Sequence, residues 1–329
     1  MCLAMATYIS LKLAELQPLL APFDLGGLRA VQPVQAGSTN SIFRLDTGRG
    51  VFALVCFEAR VVPATIPYFL GLMQHLAAAG VPCPTPLLTR DGQMTVPILD
   101  RPSVLLPWLA GQTPTQATPA LLHGVGALLA KLHLAGQSYP PSMPSLYRRA
   151  LIAPLWAVSA ARADAVLPGS HVVLQGLLDR GADTPDDAGL PRGAIHGDVF
   201  LDNLLVDANG GLTAILDFNY ACSDSLLYDL AMAINGTCWQ DDGFAPSLVQ
   251  ALLQGYQSVR GLEPAERLGL PAMLIAALQP YLHTRLYDWV TQPPDNRQPR
   301  ARLDQFWQRL QWAMALDGAG WSKLLGWAL

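Results

Sequence analysis

The sequence predicts an α+β fold in two lobes, a small antiparallel β-rich lobe with one helix followed by a larger, mostly helical lobe. Three observations predict it. Short β-patterned runs separated by turns fill the early chain; apolar residues recur at helical spacing from Thr118 onward; and one polar stretch, Ala194 to Asp217, places two short β runs among the helices.

The elements follow in order. Leu11 to Gln17 reads as a short helix that stops at Pro18. Leu28–Gln35, Ser41–Asp46 and Val51–Phe57 read as strands, joined by the small-residue turn Ala36–Asn40 and by Thr47-Gly48-Arg49-Gly50. A helix is expected from Thr65 to Ala79, with Thr65 as N-cap, Pro67 in its first turn and Gly80 and Pro82 as stops. Two more strands flank Asp91-Gly92 and end near Leu106. These boundaries give an N-terminal lobe over residues 1–107, a connector over 108–117 and a helical lobe over 118–329. In that second lobe Thr118-Pro119 is an N-cap with Pro at N1. Helices are expected from there and across Leu146–Ala161, Ser225–Gly236, Pro246–Val259 and Pro264–Val290, the last open to a break at Pro271 or Pro280. Asp183 to Gly189 reads as a polar surface loop.

Composition removes several classes of function. At 329 residues the chain is long enough for two cores. A formal net charge of −4, with no basic run, argues against nucleic acid as partner, because phosphate contacts need a basic footprint. The five cysteines are scattered and form no C-x-x-C pair, which speaks against a zinc site or disulfide framework and fits a reduced, cytoplasmic setting. No apolar stretch reaches the ~18 residues of a membrane span, and the N-terminus lacks a basic segment ahead of an apolar one, so no signal peptide is expected.

Chemistry concentrates in Ile195-His196-Gly197-Asp198-Val199-Phe200-Leu201-Asp202-Asn203 and in Ala214-Ile215-Leu216-Asp217-Phe218. Asp198 and Asn203 have the D-x-x-x-x-N spacing of a phosphoryl-transfer loop, and Asp217 ends a β run ahead of Phe. Phosphoryl transfer needs positioning and charge neutralisation more than covalent chemistry. Magnesium takes hard oxygen ligands, which a carboxylate (Asp217) and an amide oxygen (Asn203) supply. A second carboxylate, Asp198, is then left to orient and deprotonate the attacking hydroxyl. The competing reading, that His196, Asp198 and Asp202 are ordinary turn residues at a hairpin, does not account for Asn203 in register, Asp217 on the paired strand and a β-rich lobe upstream. His196 reads as a structural loop residue rather than a base.

These motifs are similar to those of the aminoglycoside phosphotransferase and choline kinase superfamily, which has a protein-kinase-like fold. Within it the chain resembles the type II homoserine kinases, through Phe69–Leu76, Val81–Pro84, Leu128–Gly136, Pro191–Asn203, Asp217–Ala231 and Thr284–Trp289. The resemblance implies ATP- and Mg2+-dependent phosphorylation of the hydroxyl of L-homoserine, a step toward threonine. It implies Asp198 as base, Asn203 and Asp217 as magnesium ligands, and Asp229 as an acid bracing the catalytic loop. It also implies Gly37, Ser38, Thr39, Asn40 and Ser41 as the turn covering the phosphates. ATP is expected near the Pro107–Gly111 connector, with backbone groups of Trp108 or Leu109 meeting the adenine.

The chain departs from the pattern in places. The third strand, Val51–Phe57, lacks the lysine that many relatives use on ATP phosphates, and Gln74 stands where the following helix usually carries Glu. Arg60 is the nearest cation after that strand, a candidate for the phosphates or an ordinary surface arginine. Gly197 replaces the Ala usual in homoserine kinases. An amino-acid substrate needs a cation for its carboxylate, for which Arg285 is the candidate, and an acid for its ammonium, for which Asp224 or Asp202 is. Arg285 could instead pair with Asp288 on one helix. Two other readings stay open: another small-molecule kinase of the superfamily, acting on an amino alcohol, sugar or aminoglycoside, and a nucleotide-binding pseudokinase.

Overall fold

The structure, a computed structural model, describes residues 9, 11–34, 40–58, 61–146, 148–181, 189–293 and 300–329. The chain forms two compact units. One comprises Met1–Gly111 with Thr213–Asn219, and the other Gln112–Leu212 with Tyr220–Leu329. The smaller unit thus takes back a short segment from far along the sequence, where Ile215 N–H donates to the Pro82 carbonyl at 3.0 Å.

The smaller unit is built on a five-stranded antiparallel sheet of β1 (Leu28–Val34), β2 (Asn40–Thr47), β3 (Gly50–Phe57), β4 (Val96–Ile98) and β5 (Arg101–Pro107), in the order β1-β2-β3-β5-β4. The period-two alternation of a strand sends Phe43, Leu45, Leu54 and Cys56 into one core. There they meet Leu16 and Leu20 from the short helix α1 (Leu13–Leu19) and its end. Phe57 is one residue out of phase with Cys56 and meets Phe69 of α2 (Ile66–Ala78) edge-on, with ring centroids 5.4 Å apart.

Three expectations are corrected here. Helix α1 starts at Leu13 and carries Pro18 inside its last turn, where it gives up one backbone hydrogen bond. Thr65 closes a 3-10 turn over Pro63–Thr65 and donates its hydroxyl to the Val62 carbonyl rather than capping α2. The fourth strand does not flank Asp91-Gly92. The β4–β5 hairpin turns at Leu99-Asp100, both at positive φ, as a two-residue hairpin of this hand requires.

The larger unit is helical. Helix α3 (Pro119–Gly136) begins as the sequence predicts, with the Thr118 hydroxyl accepting from Leu121 N–H at 3.2 Å. Helices α4 (Arg149–Ser159), α5 (Ala163–Val166) and α6 (Ser170–Asp179) follow. Then come β6 (Arg192–Ile195), β7 (Leu204–Val206), β8 (Leu212–Ile215), which runs across the boundary between the units, and β9 (Cys222–Ser225). After α7 (Leu226–Thr237) and the two-residue strands β10 (Trp239–Gln240) and β11 (Gly243–Phe244) come α8 (Pro246–Gln257), α9 (Pro264–Thr291), α10 (Arg300–Met314) and α11 (Gly318–Leu325).

Helix α9 is a single run of 28 residues and is not broken at Pro271 or Pro280. Its buried Leu278, Leu282 and Leu286 join Ile152 and Trp156 of α4 and Leu303 and Leu310 of α10 in one core. Each such leucine contributes about 1.5–3 kcal/mol, enough to outweigh a lost backbone hydrogen bond. Helices α3 and α8 touch backbone to backbone at Gly126 and Gly255, where an added Cβ would overlap the carbonyl oxygens of Leu252 and His123. Among the described residues no helix is long and apolar enough to cross a membrane, and Cys56, Cys83, Cys222 and Cys238 are buried free thiols.

Candidate active site

The loop between β6 and β7 is held from below by one acid. Asp229, on the first turn of α7 and fully buried, accepts from His196 N–H at 2.8 Å and from Gly197 N–H at 2.7 Å. His133 Nε2 on α3 donates to it at 3.0 Å. The chain of partners continues through His133 Nδ1, which faces the Tyr256 hydroxyl at 2.8 Å, and Arg260, which donates to that hydroxyl at 3.1 Å. Arg260 ends in a forked pair with Glu266 at 3.0 and 3.1 Å. Burial pushes the Asp229 carboxyl up, but the His133 hydrogen bond, the electrostatic pull of the His133 and His196 rings and the His196 N–H outweigh it and hold the group below the usual carboxylate range.

On this brace the loop makes a sharp turn. Gly197 sits at φ +78°, and a Cβ there would come within 2.6 Å of the Tyr220 carbonyl oxygen, so glycine is what the local backbone demands. His196 is fully buried, and its Nδ1 accepts from Asp198 N–H at 3.2 Å.

Asp198 emerges half-buried and is gripped on both oxygens. Asn203 Nδ2 donates to the Asp198 carbonyl at 2.8 Å and to Oδ2 at 3.1 Å, and the Tyr281 hydroxyl of α9 donates to Oδ1 at 2.6 Å. Two acceptors around the Asn203 amide nitrogen fix its orientation, since the amide oxygen in that place would face like lone pairs. The oxygen end of Asn203 therefore remains its acceptor face. Tyr281 lies flat on Phe306 of α10, with centroids 4.8 Å apart and planes 5° from parallel, and Phe200 of the loop meets both rings edge-on. Burial and the Asp198 charge push the Tyr281 phenol well above its ordinary pKa, so it stays a donor.

Arg285, one turn after Tyr281, has its guanidinium carbon 5.0 Å from the Tyr281 ring centre and 4.7 Å from that of Phe306. It forms no ion pair, with Asp288 or any other acid among the described residues; its one hydrogen bond, to the Tyr281 carbonyl, is long at 3.4 Å. Its Nε is buried without a partner, and burial holds the guanidinium below its ordinary pKa.

The other sequence-derived candidates fall elsewhere. Asp202 is exposed on the 3-10 turn Leu201–Asn203. Asp224 is buried on β9 and committed to an internal cluster, with Arg148 at 2.9 Å, Arg192 at 3.1 Å and Ser225 N–H at 2.7 Å, so its charge is already offset by two guanidiniums.

Asp217 belongs to the smaller unit. It sits at φ +59°, a left-handed conformation that Asp tolerates, and its Oδ1 accepts from Asn219 N–H at 3.3 Å. In the same unit Asn40 and Ser41 are buried against Glu58 at the end of β3. Glu58 N–H donates to Asn40 Oδ1 at 3.4 Å, and the Ser41 hydroxyl donates to Oε1 at 2.5 Å. Glu58 also pairs with Arg101 at 2.8 Å, a buried acid and its partner that the sequence reading passed over. Trp108 N–H donates to the Val51 carbonyl at 3.1 Å and so is already used within the sheet, while its ring lies under Arg44. Gly37, Ser38, Thr39 and Arg60 lie outside the described residues.

Among the described residues no group of three or more His, Cys, Asp or Glu side chains is assembled to hold a metal ion. Residues 30–262 match the phosphotransferase enzyme family. A homoserine kinase of Gluconobacter oxydans is 39% identical over 293 residues, which cover 88% of this chain and 92% of that one. One of Rhodospirillum rubrum is 36% identical over 318 residues, covering 96% and 98%. Among solved structures, an amicoumacin kinase has the same fold at a TM-score of 0.66 and 17% identity, covering 84% of this chain and 86% of that one. A microcompartment-associated aminopropanol kinase does so at 0.65 and 19%, covering 92% and 97%. Identity over nearly the full length of the relatives places the chain within the phosphotransferase enzyme family, as a member of the homoserine kinases.

Proposed function

We propose that this protein transfers the γ-phosphoryl group of ATP to the side-chain hydroxyl of L-homoserine, releasing ADP and O-phospho-L-homoserine, a step toward threonine. The observation that carries the reading is the grip on Asp198. A carboxylate held on Oδ1 by Tyr281 and on Oδ2 by Asn203 is aimed rather than free to rotate, as a base that must meet one hydroxyl should be. Asp198 takes the proton as the hydroxyl oxygen attacks phosphorus and the bond to ADP breaks.

The residues fit magnesium by their chemistry. The amide oxygen of Asn203 and the carboxylate of Asp217 are hard donors, and Asn203 keeps its nitrogen occupied on Asp198. Magnesium held with the nucleotide by donors of this kind would neutralise phosphate charge. Arg285 is the candidate for the substrate carboxylate, and Asp202, exposed on its turn, suits the ammonium better than Asp224 with its two arginines. The residue 1–107 lobe is the proposed nucleotide lobe, through Gly37–Ser41, Arg60 and the Trp108-Leu109 backbone. A cytoplasmic biosynthetic enzyme taking only ATP and a small molecule is the setting this activity implies.

The test is ADP release with Mg-ATP across L-homoserine, choline, an aminoglycoside and simple sugars, with Asp198→Asn as blank. Homoserine turnover that falls by about a thousandfold in Asp198→Asn is expected. Preferred turnover of choline, the aminoglycoside or a sugar would overturn the homoserine assignment.

A further inference from the structure

Beside Arg285 stands a second arginine that the catalytic loop does not use. Arg309, on α10 three residues after Phe306, places its guanidinium carbon 5.0 Å from the Phe306 ring centre and 5.6 Å from that of Trp239. Its Nη1 donates to the Asn235 carbonyl at 2.7 Å, and its Nε is buried with no partner. Like Arg285, it has no carboxylate in ion-pair reach among the described residues. The two charges feel each other. Burial and Arg285 together push Arg309 down to about 10, while burial lowers Arg285 and the exposed Arg302 nearby adds to that.

Two guanidiniums on one aromatic ring, each with a shielded donor unmatched, are an uncommon arrangement. Arg285 and Arg309 are half-buried, each with a shielded Nε, and cations so placed are ordinarily paired, because charge withdrawn from water is costly and cation–π contacts return only part of that cost. Elsewhere in the same unit the rule is obeyed, by Arg148 with Asp224 and by Arg260 with Glu266. The exception lies next to the base, since Arg285 and Phe306 both touch Tyr281, whose hydroxyl holds Asp198.

We propose that Arg285 and Arg309 together form the receiving site for the acceptor's carboxylate, and that Arg309 is a specificity-determining residue that makes this kinase prefer a hydroxy acid over the corresponding neutral alcohol. The missing anion is the substrate's own. In homoserine three carbon atoms separate the carboxylate from the hydroxyl, so an acceptor anchored on this pair reaches back along Tyr281 toward Asp198. The proposal rests on the homoserine reading for the identity of the acceptor, though not for its charge.

The experiment compares acceptors that differ only in the carboxylate: L-homoserine against 3-aminopropan-1-ol, and L-serine against ethanolamine, with 4-hydroxybutyrate as an acid lacking the amine. Steady-state kinetics are run on the wild-type protein, Arg309→Met and Arg309→Lys, with thermal midpoints as a check on folding. In Arg309→Met the KM for homoserine should rise about thirtyfold, with the ATP KM unchanged and 3-aminopropan-1-ol unaffected, the loss expected for a charge-assisted hydrogen bond. Arg309→Lys, which keeps the charge and can keep the Asn235 contact, should recover part of the preference. An unchanged preference for acid over alcohol in both variants overturns the pair while leaving homoserine phosphorylation standing. A wild-type enzyme that ignores homoserine but favours another hydroxy acid, and loses that favour in Arg309→Met, supports the pair and removes the homoserine reading. Wild-type preference for the neutral alcohols overturns the pair.

Discussion

Two buried polar assemblies flank the catalytic loop of the larger unit, and they are built on opposite plans. Around Asp229 every donor meets an acceptor, from the loop amides through His133, Tyr256 and Arg260 to Glu266. Along the middle of α9 the reverse holds. Gln279 and His283 are fully buried with all their side-chain nitrogen and oxygen atoms unpartnered, and Arg285 has a shielded Nε with none. A saturated network fixes one geometry, because any rearrangement strands a buried group. An unsaturated one leaves groups whose energy can still improve. The first plan suits a brace, and the second a surface whose partner arrives later or a helix that tolerates local mismatch.

Breaking the saturated side should have the largest effect. Asp229→Asn removes a buried charge from His133 and turns an N–H2 toward backbone donors, and should lower stability by about 3–5 kcal/mol in urea unfolding, with activity falling alongside. A loss under 1 kcal/mol would mean that the loop holds its own shape.

On the unsaturated side the expectation differs in kind. Burial holds His283 neutral, with its pKa lowered to about 4. As pH falls, the unfolded chain takes up a proton first, near its ordinary ~6.5, and the folded protein only near 4. Stability contributed by the neutral ring is therefore complete above about pH 6.5, declines down to about 4 and levels off below, by about 3 kcal/mol in all. His283→Phe, of similar shape and able to keep an edge-on contact with Trp156, should unfold within about 1 kcal/mol of the wild type at pH 7.5 and lack that part of the acid decline. Superimposable pH–stability curves for the two proteins would refute it.

The smallest effect is expected where the two plans meet. Tyr281→Phe keeps the stack on Phe306 and removes one hydrogen bond to Asp198, so kcat should drop about five- to tenfold with the ATP KM and the melting temperature nearly unchanged. Unaltered kcat would show that Asn203 alone aims the base.

Local chemistry was legible in the sequence where it is encoded by spacing. Asp198 and Asn203 are five residues apart, close enough for one turn to bring them into contact. The cap at Thr118 and the early strands also rest on neighbours in the chain. What escaped depends on distant partners. Tyr281 reaches Asp198 across 83 residues and His133 reaches Asp229 across 96, and no local pattern marks either. His133 stands at no chemistry-bearing spacing in the sequence; its place among the apolar residues of α3 was the available signal. Asp224 looked available because Arg148 and Arg192 lie 76 and 32 residues away. The continuity of α9 through two prolines was hidden for a similar reason, since it is set by the leucines packed around it rather than by local propensity.

The backbone contact of α3 with α8 reaches further than packing. His133 rides on the first helix and Tyr256 on the second, adjacent to Gly255, and a single 2.8 Å hydrogen bond joins them. The gap between the helices is thus a gauge for the alignment of residues two bonds away from the catalytic loop. A saturation scan of the whole chain would find positions 126 and 255 as intolerant as many in the catalytic loop, and an alanine at either would disturb that loop through helix spacing as well as lower stability.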